Sequence, residues 1–471
     1  MNRTPPKVRE RSAYPTFSES PTDKEIFRAR VFAEALVPAG GTMAAEENQS
    51  LAGALTSFLR REDPEDFSSI ESFLEEYPGS RWRASLLMNL GIVYRRASYF
   101  SRAERVLSEA WESLKNETEP LARATADRAL AELLEIHMQF GRLAPLESLL
   151  SQIEERGMRG GSAERVSEAR STAWGLKNQH ESAIPSGRVA LERLLSIREP
   201  GSSHERELGK LHATVNGASL GEVLGFAGRV GLKMQAAHRS PGADVPTPAV
   251  MHLRAGHFTA VVEKRGEKYR LADPLLGGEV WMSARALEEE ASGYFLIRDG
   301  ALPAGWRKAE PQEVEAVRGK CKWPVPVAEA TGQCEDQAGG CSGGGASPGM
   351  ASYSFHTLLA SLHITDTPVG YTPPRGPSVQ FRVTYNQREY YQPNIFYYSN
   401  LGSRWTFDWM SYVEDDPSKS DEPVYVYLRG GGRETYSGFS GGISAAHVTS
   451  RAILVRTSLN RYERRLADGS M

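Results

Sequence analysis

The chain has 471 residues, with 56 basic and 59 acidic side chains, a formal charge of −3 and 40% hydrophobic residues. At roughly 150 residues per domain this length accommodates about three domains, each able to bury a core of its own. The near balance of charge excludes a chain built as a whole to coat nucleic acid or an anionic membrane. No apolar run approaches the ~20 residues that a bilayer-spanning helix needs, and no apolar h-region follows the charged first residues, so no secretory signal is visible. The three cysteines all fall between Cys321 and Cys341, so no disulfide framework supports the rest.

Residues 1–48 mix Pro, Ser and charge and read as a flexible or extended lead-in. From 49 to 171 Leu, Ala, Glu and Arg dominate, with breaks at Tyr77-Pro78-Gly79 and Arg159-Gly160-Gly161, a helical texture. Within it Leu90, Gly91 and Tyr94 are followed by Ala103, Leu107 and Ala110, spaced to face one another on two antiparallel helices. Small residues at Gly91 and Ala103 let the helices approach closely while Tyr94 and Leu107 fill the space between them. These positions resemble the tetratricopeptide repeat, with a looser second copy through Leu133, Gly141, Leu146 and Leu150. An irregular helical bundle is the alternative. Either arrangement offers a concave surface for peptides or neighbouring domains and carries no chemistry.

From 172 to 300 the texture alternates between helix and strand. Ser219 reads as the N-cap of an amphipathic helix that ends near Gly228 and leads to a strand around Met234. The run Thr247–Leu253 is strand-like. Gly256–Glu263 and Lys268–Pro274 follow as a hairpin around Lys264-Arg265-Gly266-Glu267. With Glu263 opposite Lys268, paired positions sum to 531, so His257 faces Pro274 and neighbours Asp273 at the open end, within hydrogen-bond reach.

The stretch from about Thr172 to Arg298 resembles the papain-like peptidase domain that removes leader peptides in bacteriocin-exporting ABC transporters. The residues carrying the likeness are Gly256-His257-Phe258, Ala272-Asp273-Pro274 and Gly217-Ala218-Ser219-Leu220, with Ser283–Leu287 and Gly293–Leu296 as closing helix and last strand. The resemblance implies His257 as catalytic histidine, Asp273 as its orienting carboxylate, and a cysteine nucleophile in a Cys-Gly-Pro context at the start of a long helix. A helix N-terminus and an adjacent imidazolium would there favour the thiolate. Ser186 stands in that place and Arg188 replaces the proline. The oxyanion-stabilising glutamine, expected about six residues upstream, corresponds to Gln179, seven before Ser186. An alkanol is several pK units more basic than a thiol, so a papain-type ion pair cannot form. An inactive, peptide-binding pseudo-enzyme is expected. A Ser186-His257-Asp273 triad in an active autoprocessing peptidase is the alternative.

His252 and His257, five apart, lack an accompanying Cys, Asp or Glu cluster at ligand spacing, so neither a metal nor a cofactor is expected. Residues 301–349, with Cys321, Cys334 and Cys341 at spacings unlike zinc ligands, read as a Gly-rich linker that follows the domain and offers no substitute nucleophile. From 350 onward short aromatic strands alternate with turns. Phe381–Asn386, Leu401–Asp408 and the glycine turn before Glu434-Thr435-Tyr436 resemble the opening of the RHS/YD-repeat proteins, whose β-sheet coils into a shell. A generic β-sandwich with Trp405 and Trp409 in its core is the alternative. Asp468-Gly469 reads as a turn with no return strand, suggesting a fragment of a longer chain.

The expected fold class is thus multidomain: all-α helical repeats, an α+β papain-like domain, and the antiparallel start of an RHS-type shell. The expected function is that of an N-terminal module binding a peptide or protein segment, including the downstream shell in cis, without nucleic acid and without spanning a membrane. The RHS likeness implies a bacterial surface or secreted protein. The absence of a visible signal leaves a cytoplasmic place open.

Overall fold

Helical periodicity governs the first part of the chain, and the elements follow in order as α1 (Asp23–Ala29), α2 (Glu47–Arg60), α3 (Ser68–Glu76), α4 (Arg83–Arg96), α5 (Phe100–Leu114), α6 (Pro120–Gln139), α7 (Leu143–Ser151) and α8 (Gly160–Asn178). The computed structural model describes residues 14–41, 46–154, 156–158, 160–198, 205–211, 214, 216–273, 276, 278–323, 351–356, 361–371, 379–387, 389, 391–392, 401–402, 404–416, 423–458 and 461–466. These divide into two compact units, one of Leu90–Asn116 with Ala126–Ala328, the other of Met1–Asn89, Glu117–Thr125 and Glu329–Met471. Cys334, Cys341, Pro274 and the Asp468-Gly469 turn lie outside the described residues. No helix among the described residues is long and apolar enough to cross a membrane.

In the first of these units α5 buries Ala103, Val106, Leu107, Ala110, Trp111 and Leu114, a stripe at helical spacing. Leu90, Gly91 and Tyr94 are buried as well. A methyl group at Gly91 would stand 2.3 Å from Leu107 Cγ, so the isobutyl side chain occupies the place where any larger residue's Cβ would be. On α6, Glu132 is 2% exposed and paired with Arg95 and Arg128, each at 2.8 Å. Burial alone would raise its carboxyl pKa, but the flanking guanidinium groups outweigh it and hold the group well below the usual carboxylate range.

The chain continues with β1 (Ile184–Pro185), α9 (Ser186–Arg198), α10 (Glu205–Leu208), β2 (Ala218–Ser219), α11 (Leu220–Arg229), β3 (Met234–Arg239), β4 (Ala249–Leu253), β5 (His257–Arg265), β6 (Lys268–Asp273), β7 (Gly278–Ser283), α12 (Ala284–Glu290) and β8 (Ala291–Arg298). Ser219 caps α11 through a reciprocal pair with Glu222, a device that stabilises a helix start by ~1 kcal/mol. The hairpin of β5 and β6 has a shorter turn than its residues suggest: Arg265 pairs with Lys268 around Gly266-Glu267, and a bulge between Val261 and Glu263 shifts the register. Paired positions therefore sum to 533 near the turn and 532 beyond it rather than 531. Gly266 at φ +57° permits the two-residue turn.

The α+β region does not end at Arg298. Residues expected as linker form β9 (Trp306–Lys308), α13 (Pro311–Ala316), β10 (Arg318–Gly319) and β11 (Cys321–Lys322). β9 completes a seven-stranded antiparallel sheet of order β7-β6-β5-β4-β8-β3-β9. Helix α9 lies against β5, and Leu191, Leu194, Val223, Phe258 and Leu296 share one core with Val314 and Val317 packed against it.

In the second unit the lead-in is not wholly extended: α1 carries a Thr22–Glu25 capping box, and Ala35, Leu36 and Val37 are buried. Trp82 is fully buried and donates its indole N–H to Asn48 at 3.0 Å. The later residues supply β12 (Ser352–His356), β13 (Ser361–Tyr371), β14 (Val379–Asn386), β15 (Trp405–Phe407), β16 (Tyr412–Glu414), β17 (Val424–Tyr427), β18 (Arg433–Tyr436), β19 (Ile453–Ser458) and β20 (Arg461–Arg465). They form antiparallel sheets of four, three and two strands. Thr365–Pro368 is a bulged part of β13 with the irregularity between Asp366 and Val369, a position that tolerates proline. Gly430, Gly431 and Gly432 all take positive φ in the β17–β18 hairpin. Trp409 is 64% exposed and so is not a core residue.

The contact at Gly91 yields a sign-reversing prediction. Gly91→Ala overpacks Leu107 and costs ~1–3 kcal/mol, only partly offset by about 1 kcal/mol of helix propensity, so the denaturation midpoint falls. With Leu107→Ala already present, Gly91→Ala raises the midpoint instead, as urea melts of the four chains would show.

Candidate functional site

The N-terminus of α9 begins at Ser186, which is fully buried. Its Oγ accepts a hydrogen bond of 3.1 Å from the Phe258 N–H, bringing the hydroxyl to the start of β5 beside His257. His257 Nε2 and Asp273 Oδ2 are 2.7 Å apart, and both residues are 2% exposed. The carboxylate engages Nε2 and so leaves Nδ1 as the ring nitrogen for proton exchange. Phe140 packs edge-on against the His257 ring with centroids 5.6 Å apart, and Phe100 packs edge-on against Phe140 at 5.1 Å. Arg142, just after that turn, pairs with Glu104 and donates to the Ala255 carbonyl at 3.2 Å. The α6–α7 turn thus covers the histidine face of the site.

A strand-like segment runs directly over Ser186. Arg318 and Gly319 pair with Ser219 and Ala218, and Cys321 and Lys322 pair with Pro185 and Ile184. Before these pairings at Val317, and between them at Lys320, the main chain is bonded as well. Leu220 N–H donates to Val317 O at 2.8 Å, Lys320 N–H to Gly256 O at 2.7 Å and Ser186 N–H to Lys320 O at 3.3 Å. The Lys320 carbonyl therefore points at the first amide of α9, where the helix dipole favours developing negative charge. Glycine is demanded wherever this segment passes. A methyl group at Gly319 would lie 2.3 Å from the Phe258 ring and 2.8 Å from Ser186 Oγ, one at Gly217 would lie 2.2 Å from Gly319 O, and one at Gly141 would lie 1.8 Å from Cys321 O.

Of the residues singled out in the sequence, Ser186, His257 and Asp273 come together in one buried group. Gln179 stands apart from it, exposed in the turn after α8. An amide facing solvent supplies no preorganised donor, whereas the Ser186 N–H already points at a carbonyl. Cys321, expected in a linker that follows the domain, folds back beside Pro185. It does not replace the missing nucleophile, since burial pushes its thiol up to about 11 and keeps it protonated at neutral pH. Among the described residues no group of three His, Cys, Asp or Glu could hold a metal ion.

His252 has a structural task that its sequence context does not show: Nδ1 meets Ser292 Oγ at 2.9 Å and Nε2 meets Arg318 O at 3.0 Å. A neutral ring with the proton on Nε2 satisfies both, donating to the Arg318 carbonyl and accepting from the serine hydroxyl. Burial, opposed by the Arg318 hydrogen bond, lowers its pKa to about 4. The unfolded ring titrates near 6.5, so the unfolded state binds the extra proton between those values and stability falls as pH drops from about 6.5 toward 4. In His252→Gln the acid-side slope of the unfolding free energy is expected to be shallower by up to one proton, measured by urea melts between pH 4 and 7.

Residues 186–301 match the model of the Peptidase C39 family. No curated protein matches the chain significantly. Two solved structures are similar to part of this chain. One is a double glycine motif protease from an AMS/PCAT transporter in complex with the leader peptide, 19% identical, covering 24% of this chain and 84% of that one, with a TM-score of 0.23. The other is the N-terminal peptidase C39 like domain of the toxin secretion ATP-binding protein from Vibrio parahaemolyticus, 13% identical, covering 26% of this chain and 98% of that one, with a TM-score of 0.21. The family match starts at Ser186, the first residue of α9, and ends before β9, so residues 186–301 form a Peptidase C39 family domain within a longer chain.

Proposed function

We propose that this domain binds an extended peptide across the N-terminus of α9 without hydrolysing it. The observation that carries the reading is an uninterrupted main chain lying over Ser186, its Lys320 carbonyl bonded to the Ser186 N–H. The hydroxyl there already accepts a bond from Phe258 N–H. An alkanol several pK units more basic than a thiol gains no thiolate-like character from helix or imidazole. The His257–Asp273 pair then serves as a buried polar brace, fixing the ring and the end of β6. The helical segments serve as a binding scaffold of tetratricopeptide-like pairs, and the β-rich part is the opening of an RHS-like shell. The module belongs in that reading to a larger surface or secreted protein.

Retention of the 2.7 Å His257–Asp273 contact favours a second reading, in which His257 takes the Ser186 proton during attack on a bound peptide. Double-glycine peptides offered to the full chain distinguish the two, with Gly319→Glu as a second background in which the cleft is cleared. Wild-type and Ser186→Ala chains are expected to show the same background hydrolysis over hours. Ser186→Cys is expected to gain turnover in the Gly319→Glu background. Wild-type turnover that disappears in Ser186→Ala would establish the serine triad instead.

A further inference from the structure

Residues 317–322 lie beyond the matched family region, yet their backbone lies over Ser186, paired with Ile184-Pro185 just before that region and with Ala218-Ser219 inside it. We propose that Val317–Lys322 is an internal peptide ligand of the C39-type cleft, held in cis so that the site is closed to peptides in trans until it is released. The inference rests on the peptide-binding reading above and names the occupant.

The geometry is that of a peptide adding itself to exposed strand edges, with main-chain bonds giving affinity and side-chain sites giving selectivity. The two flanking edges, Ile184-Pro185 and Ala218-Ser219, are each two residues long and pair with nothing but this segment in the sheet arrangement of the described residues. His252 holds the Arg318 carbonyl, Gly256 accepts from Lys320, and Ser186 donates to Lys320. Three glycines, Gly141, Gly217 and Gly319, each leave space that no side chain can share with the segment or its cradle. Upstream, Val314 and Val317 pack on the α9–α11 core, and Glu313 bonds Tyr294 and Arg307. The bond presented to Ser186 is thus Lys320–Cys321. A covalently tethered ligand acts at an effective concentration in the millimolar range, which a free peptide must exceed to enter.

The test uses the full chain and a fluorescein-labelled synthetic peptide spanning residues 311–323. Wild-type chain is expected to bind it at least tenfold more weakly than Gly319→Glu, in which the added side chain meets Phe258 and Ser186 and expels the cis segment. The same peptide carrying Gly319→Glu is expected not to bind either chain. Hydrogen exchange on the wild-type chain supplies a second measurement that needs no variant: the Lys320 and Leu220 amides should exchange as slowly as those of β4 and β5. Exchange of Val317–Lys322 as fast as a free peptide, or equal binding by wild type and Gly319→Glu, would overturn cis occupation and leave peptide binding standing. Absence of binding to a Gly319→Glu chain whose circular dichroism matches wild type would overturn the peptide-binding reading itself, and this inference with it.

Discussion

The site around Ser186 depends on a single main-chain requirement: a strand-like segment buried between two short edges must have its N–H and C=O groups paired. Leaving one such group unpaired costs ~1–3 kcal/mol; Val317 is paired with α11, Arg318 with β4, and Lys320 with both the Gly256 loop and α9. Meeting that requirement fixes side chains elsewhere. Gly141, Gly217 and Gly319 are glycines because carbonyls, a ring or a hydroxyl stand where a Cβ would be. Gly141 and Gly217 also take positive φ, which a β-carbon would resist.

The chemistry at the α9 N-terminus follows from what can and cannot be ionised there. A helix N-terminus stabilises an anion by a few tenths to about 2 kcal/mol, enough to draw a thiol toward thiolate beside a histidine and far short of what an alkanol would need. The one cysteine among the described residues lies in the next pairing along but is buried and raised to about 11. Proximity to the site therefore does not confer reactivity. The same burial keeps His252 neutral and useful as a donor to a carbonyl.

The helical residues 90–116 and 126–151 contribute more than a scaffold to the domain they share a unit with. Phe140 closes over His257, Gly141 lets Cys321 approach, and Arg142 holds Ala255 next to the Gly256 carbonyl. Ser101 donates to the buried Glu290 through both its N–H and its Oγ, at 2.9 and 3.0 Å. Two residue patterns legible as a packed helical pair and as a histidine hairpin thus belong to one hydrophobic and polar assembly.

Much of this was determined by the sequence itself. The spacing of Gly91 and Leu107 specified helices in close contact, Ser219 with Glu222 specified a helix start, and the alternation around Gly266 specified a hairpin that carries His257 and Asp273 to one end. Those are local patterns, in which side-chain type dictates backbone shape. The hairpin register was off by one to two positions because a two-residue turn and a bulge compete with the four-residue loop that charge pattern suggests. The linker reading of residues 301–323 failed for a different reason. Backbone hydrogen bonds have no residue signature, so a segment rich in charge and bounded by Pro and Gly looks solvent-bound in one dimension. Only the tertiary structure decided that Val317–Lys322 returns to Ser186, because that choice is made by unpaired strand edges about a hundred residues or more upstream.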